Sequence, residues 1–156
     1  MTRGSGPTDP GGHRGAAVGS TLVPGRARGP ALVLDDPLSF WGGVDPATGR
    51  IIDVHHPQQG ARVTGTVLVM PSGRGSSSSG TVLAETIRVG TAPAAIVLGV
   101  PDPILVVGAV AAADLYGRTI PVVAADRPAA VATGDVVEVS AGPDRAEILV
   151  DERPAR

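Results

Sequence analysis

Apolar runs four residues long recur along this chain, each bounded by glycine, proline or a polar turn. Ala31-Leu32-Val33-Leu34, Val67-Leu68-Val69-Met70 and Ala95-Ile96-Val97-Leu98 contain no polar side chain, and neither does Pro121-Val122-Val123-Ala124. Such runs mark strands buried on both faces. The second run ends a longer strand predicted over residues 63–70, and Pro93 and Pro101 bracket the third. Between the runs the period changes. Val82, Leu83 and Ile87, set around Glu85 and Arg88, predict a helix over 79–89. A second helix is predicted over 103–116 from Ile104, Val107, Val110, Ala111 and Leu115. Pro103 suits the first helical position and Gly117 the position just past the end. Residues 135–139 and 146–150 read as paired strands around Gly142-Pro143-Asp144. Strands outnumber helices, and both helices fall between central strands. The expected class is therefore α/β, with a parallel portion and an antiparallel β portion.

Residues 1–14 are rich in glycine and proline and hold no aliphatic side chain beyond Met1. They cannot bury enough surface to offset their ordering entropy, so a disordered tail is expected there. Order should begin near Ala16-Ala17-Val18, with one domain over 15–151 and a short tail over 152–156. A chain of 156 residues suits one domain. Aromatic residues make up only 2 % of it. The core must therefore be built from Val, Ala, Ile and Leu.

Composition also excludes chemistry. All 13 basic residues are arginine, so a Walker-type phosphate loop, a Schiff-base lysine and a lysine general base are ruled out. The chain has no cysteine and cannot by itself form a disulfide or ligate an iron–sulfur cluster. A net charge of −2 gives no electrostatic reason to expect nucleic acid or an anionic membrane as partner. No apolar run approaches the roughly 20 residues of a membrane span, and the N-terminus has no apolar signal region. A soluble cytoplasmic protein is expected.

The densest chemistry lies at Pro71-Ser72-Gly73-Arg74-Gly75-Ser76-Ser77-Ser78-Ser79-Gly80, flush between a predicted strand and a predicted helix. A Gly/Ser loop in that position aims backbone N–H groups and hydroxyls at one point, where the helix dipole favours negative charge. Such a loop can hold an anion or help to make one. Read as a bland turn, it would be a low-complexity linker. A second cluster, Asp53, His55 and His56, suits acid–base work, but adjacent histidines on a strand point to opposite faces and would not share one metal. His56 before Pro57 also suits a structural hydrogen bond at a turn. Phe40 and Trp41 suit either a substrate or subunit surface or the core. Asp45 suits a turn cap.

Several of these motifs together resemble the small subunit of the aconitase X proteins. They are Ser39-Phe40-Trp41-Gly42-Gly43-Val44-Asp45, then Gly49-Arg50-Ile51-Ile52-Asp53 with His56-Pro57, then Gly73-Arg74-Gly75-Ser76-Ser77-Ser78-Ser79. Ala92-Pro93-Ala94-Ala95-Ile96, Asp102, Gly108 and Leu115-Tyr116-Gly117 fit as well. The resemblance implies a swivelling β/β/α domain, like the mobile last domain of aconitase. It also implies a separate large subunit, in a heterodimer or larger complex, whose cysteines hold an iron–sulfur cluster. No cofactor is then expected on this chain alone. Two dehydrations are associated with the family, of cis-3-hydroxy-L-proline and of phosphomevalonate. The arginine-only, alanine-rich usage resembles a GC-rich bacterial genome and favours the hydroxyproline reaction.

In aconitase-like proteins the first serine of a Gly-Ser-Ser motif acts as an alkoxide base. The resemblance puts that role on Ser76. Gly75 would allow close backbone approach, Ser77 and Ser78 would supply further donors, and Arg74 would grip a substrate carboxylate. Aconitase itself has an arginine after its second serine, where this chain has Ser78. Three other classes make different demands. A phosphohistidine-carrier domain needs a histidine at the start of the second helix, and residues 103–117 contain none. A serine hydrolase of the Gly-x-Ser-x-Gly type needs a motif this loop does not match. A non-catalytic interaction module would use the loop only for docking.

Overall fold

The computed structural model describes residues 12–126 and 131–151. Along the chain run β1 (His13–Val23), β2 (Gly25–Val33), α1 (Phe40–Gly43), β3 (Val67–Met70), α2 (Ser79–Val89) and β4 (Ala95–Leu98). They are followed by α3 (Pro103–Tyr116), β5 (Val122–Ala124), β6 (Val136–Ala141) and β7 (Ala146–Asp151). The strands close into a barrel in the order β1-β5-β4-β3-β2-β6-β7. β2, β3, β4 and β5 are parallel neighbours, which need crossover connections, and α2 and α3 supply two of them. β1, β7, β6 and β2 pair antiparallel. The expected mixed α/β architecture holds, with both portions in one closed sheet.

Two long strands make the closure possible. β1 pairs with β7 through Gly19 and with β5 from Ser20 onward. β2 pairs with β6 through Pro30 and with β3 from Ala31 onward. Each strand thus belongs first to the antiparallel half and then to the parallel half. Their sequences alternate half-buried with exposed positions over the first half, and β2 ends in the fully buried Ala31-Leu32-Val33.

Side-chain size sorts the core into two layers. Ala31, Val33, Val67, Val69, Val97 and Val123 face into the barrel, where they meet Val137, Val139, Ile148 and Val150. Leu32, Leu68, Met70, Ile96 and Leu98 face the other way, against Leu83 and Ile87 of α2 and Leu105 and Ala109 of α3. Small side chains fill the narrow barrel and larger ones the sheet–helix interface. An aromatic-poor composition suffices because neither layer has to span a wide gap. Phe40 is the one aromatic ring that is fully buried.

The structure moves several predicted boundaries. Strand β1 starts at His13, inside the stretch expected to be disordered, because both of its first residues have partners: His13 Nδ1 lies 3.2 Å from an Asp151 carboxylate oxygen, and Arg14 pairs with the buried Asp135. Residues 1–11 and 152–156 lie outside the described residues. The strand expected over 63–70 shortens to Val67–Met70. The Thr66 amide and hydroxyl both donate to the Val63 carbonyl, at 3.1 and 2.7 Å, and turn the chain there. β6 begins one residue later than expected, since the Asp135 N–H closes a turn on the Ala132 carbonyl, while its own carbonyl still accepts the Ala31 N–H at 2.7 Å. Both predicted helices, 79–89 and 103–116, are present with those limits. No helix among the described residues is long and apolar enough to cross a membrane.

Charged side chains concentrate on the outer face of the antiparallel half. Arg26 donates to Glu138 at 2.9 Å, Arg145 to Glu147 at 3.1 Å, and Arg28 pairs with Asp151. The Arg28 hydrogen bond holds the Asp151 carboxyl below its ordinary range. That contribution to stability is present above the unfolded carboxylate pKa of about 3.9 and is lost as pH falls through the lowered folded value. Asp151→Asn is therefore expected to flatten the acid limb of a thermal-stability profile below about pH 4. An unchanged profile would show that the pair carries no linkage.

Candidate active site

Ser76, not the residue at the helix boundary, closes the first turn leading into α2. Its carbonyl accepts the Ser79 N–H at 3.0 Å, and its Oγ accepts the Ser78 N–H at 3.1 Å. Ser78, at the formal cap position, makes no side-chain capping bond. The Ser76 hydroxyl oxygen thus already receives a backbone donor at the positive end of a helix dipole, the setting that stabilises negative charge on an oxygen. Ser76, Ser77 and Arg74 are exposed and Ser78 is half-buried. Among the described residues the Arg74 guanidinium meets no carboxylate, so it is free to receive an anion.

Two glycines let the loop pass between its neighbours. Gly75 has φ +91°, and a Cβ there would lie 2.5 Å from Ser39 Oγ. A Cβ on Gly73 would lie 1.8 Å from Asp102 Oδ2. Asp102 caps α3, its Oδ1 accepting the Ile104 N–H at 2.9 Å, and its other oxygen faces the loop. Arg74, Ser76, Ser79, Val100, Asp102 and Ile104 are among the residues lining a cavity of about 290 Å³ over this loop.

Sequence reasoning assigned no role to Ser39 or Ser79, yet these two stitch the separate motifs together. Ser79 is buried and its Oγ accepts the Trp41 N–H at 3.2 Å. Ser39 Oγ lies 3.3 Å from Ser79 Oγ and donates to the Trp41 carbonyl at 2.9 Å. The Phe-Trp-Gly-Gly segment is therefore tied to the first turn of α2, 38 residues away in sequence. Phe40 anchors it in the core, while Trp41 is 57 % exposed beside the loop. The core reading therefore holds for Phe40 and not for Trp41.

The Asp53–His55–His56 cluster is a turn and not a site of convergence. Asp53 accepts the His55 N–H at 2.9 Å. His56 is buried, with Nδ1 accepting the Gln58 N–H at 3.1 Å and Nε2 lying 3.4 Å from the Asp36 carbonyl. Both ring nitrogens serve the backbone, which is the structural role expected for a buried histidine. Asp45 caps the next turn through Ala47 N–H and Thr48 Oγ1, each at 3.0 Å. Among the described residues no group of three His, Asp or Glu side chains could hold a metal ion.

The position of the loop depends on how α2 meets α3. A Cβ on Gly108 would lie 2.4 Å from the Gly80 carbonyl oxygen, and one on Gly80 would lie 2.7 Å from the Ile104 carbonyl oxygen. The two helices touch backbone to backbone directly behind the serines.

A β-barrel with two helices on its parallel half, and a Gly/Ser loop opening the first of them, defines a swivel-type β/β/α domain. The family model for the aconitase X swivel domain matches residues 16–150, and the chain belongs to that family. It is 48 % identical over 110 residues to a cis-3-hydroxy-L-proline dehydratase of Pseudomonas aeruginosa. That match covers 70 % of this chain and spans only 19 % of the relative's length. It is 42 % identical to the phosphomevalonate dehydratase small subunit of Methanothermobacter thermautotrophicus, covering 80 % of this chain and 91 % of that one. The holo-form crystal structure of Thermococcus kodakaraensis aconitase X superposes with a TM-score of 0.76 at 33 % identity, over 88 % of this chain and 98 % of that chain.

Gly108→Val places a branched side chain against the Gly80 backbone and forces the helices apart. It is expected to lower unfolding stability by roughly 1–3 kcal/mol in a urea titration. A loss below a few tenths would mean that the contact yields freely.

Proposed function

We propose that this chain is the small subunit of a cytoplasmic two-chain hydro-lyase of the aconitase X type, dehydrating cis-3-hydroxy-L-proline, and that Ser76 is its base. The observation that carries the reading is the Ser76 oxygen, held at the N-terminus of α2 with the Ser78 N–H 3.1 Å away and open to the cavity. A serine hydroxyl is too weak an acid to ionise unaided. A donor already aimed at its oxygen lowers the cost of the alkoxide.

Charge in the cavity supports the substrate. Its lining contains one arginine, Arg74, and one carboxylate, Asp102. That pair suits a zwitterion with one carboxylate and one ring ammonium. Phosphomevalonate instead carries a phosphate and a carboxylate, and Asp102 would oppose the second anion. In the proposed step the Ser76 alkoxide takes the proton from the ring carbon that bears the carboxylate. The hydroxyl leaves the neighbouring carbon with the electrons of its C–O bond, and the new ring double bond tautomerises to give 1-pyrroline-2-carboxylate. Arg74 holds the carboxylate, with the Ser77 and Ser78 donors beside it and Gly75 leaving the backbone accessible.

The residues of this chain do not fit an iron–sulfur cluster. It has no cysteine, and no described group of side chains converges as a ligand set. The reading therefore assigns the cluster, and the acid for the leaving hydroxyl, to a large partner chain. Relatives of both lengths agree with such a division: in one this domain is about a fifth of a longer polypeptide, and in another it is nearly a whole small subunit. That second match also supports an alternative substrate, phosphomevalonate, since small subunits named for its dehydratase are 42 % and 38 % identical to this chain.

Both substrates are offered to the complex of this chain with its large partner, with wild type and Ser76→Ala in parallel. Hydroxyproline turnover is expected, falling by at least about 10²-fold in the variant while the complex still assembles. Turnover of phosphomevalonate alone would overturn the substrate. Full activity of Ser76→Ala would overturn the base and leave the loop a docking element.

A further inference from the structure

We infer that the large partner chain seats in the groove between α2 and α3 and on the outward side of α3. This inference rests on the two-chain reading above. α3 is the starting observation. Its inward side, Leu105, Ala109 and Ala112, packs on the sheet as an amphipathic helix should. Its outward side is largely apolar too: Val107 is 65 % and Leu115 70 % exposed, and Asp114 is the one charged residue of the helix. A helix apolar on nearly every side suits an interior. Here half of that interior is not supplied by the domain itself.

The groove beside it measures about 610 Å³ and is lined by Ile104, Val107, Ala111, Leu115 and Tyr116 from α3, with Ala84 facing them from α2. Its charged lining residue, Glu85, is already satisfied by Arg88, whose Nε donates to it at 2.8 Å. The groove therefore asks for aliphatic or aromatic side chains and not for ions. It begins at Ser77, so a chain lying in it reaches the serine loop directly.

Charge and exposed apolar surface are unevenly distributed over the domain. The outer face of the antiparallel half carries the ion pairs of Arg26, Arg28 and Arg145. Around the serine loop and α3, exposed large apolar side chains are more numerous, Trp41 and Val100 joining those already named, whereas the antiparallel half exposes Val18. A solvated face and an apolar face on one small domain mark an interface on the second. The longer relative supports a large chain as the occupant: the matched region is only 19 % of that polypeptide, so the domain works there beside a much larger remainder. A second copy of this chain would cover the patch equally well by hydrophobicity, but would bring nothing to the incomplete site beside it.

The test is capture of the tagged large chain by co-expressed small-chain variants, with circular dichroism and melting of each variant checked alone. Val107→Glu and Leu115→Glu alter exposed positions and should fold as wild type. Each is expected to weaken capture by about tenfold or more. Val18→Glu, on the antiparallel face, is the control and should bind as wild type. If wild type, Val107→Glu and Leu115→Glu are captured equally, the interface lies elsewhere, while the two-chain reading stands. If wild type itself is not captured, that reading falls and this inference with it. A homodimer of the isolated chain, seen by light scattering and broken by Val107→Glu, would make a second copy the occupant and overturn the proposal.

Discussion

Gly80 and Gly108 bring α2 and α3 into backbone contact, and most of what surrounds the serine loop follows from that closeness. With any larger residue at either position the helix axes would separate. Asp102, at the start of α3, could then no longer sit against Gly73 at the start of the loop. Ser79, one residue before Gly80, would also lose its register with the Trp41 amide. Three segments far apart in sequence converge because two helices lack side chains at one crossing point. Hydrogen bonds with Ser39 and Ser79 then fix the details, each of modest net strength.

The barrel is the rigid body that makes such closeness useful. Its interior is filled by Val, Ala and Ile from both halves, and its outer parallel face by Leu, Ile and Met against the helices. β1 and β2 each run through both halves, so the sheet is closed. The loop, by contrast, is a short connection with Arg74, Gly75, Ser76 and Ser77 all exposed. A firm scaffold carrying an open loop is the usual arrangement for binding and catalytic sites.

What was legible in the sequence divides along physical lines. The second helix could be bounded because Pro103 and Gly117 punctuate it, and Gly90, just past the first, adopts the same left-handed conformation as Gly117. The central strands were legible because fully buried strands write themselves as continuous apolar runs. β1 and the first half of β2 were not, since Gly15, Ala17, Gly19, Ala27 and Gly29 offer little hydrophobic contrast to their exposed neighbours. Their pairing partners lie about 100 residues away or more, and no local signal carries that. In the site, the loop itself was plain as a motif. The link from Ser79 to Trp41 was not, because a serine in a run of four gives no hint that one faces inward while its neighbours face water. Of the two readings the histidine pair allowed, the structural one holds for His56, whose ring bonds go to the backbone around the turn.

The chain has one Trp, one Tyr and one Phe, and the buried Phe40 is optically weak. Trp41 stands beside the serine loop, and Tyr116 lines the far end of the α2–α3 groove. The barrel is thus nearly transparent in the near ultraviolet, and essentially all of the protein's intrinsic emission originates on the face that bears the loop. The lone indole is a native reporter of that face, reading solvent, ligand or partner there without an added label.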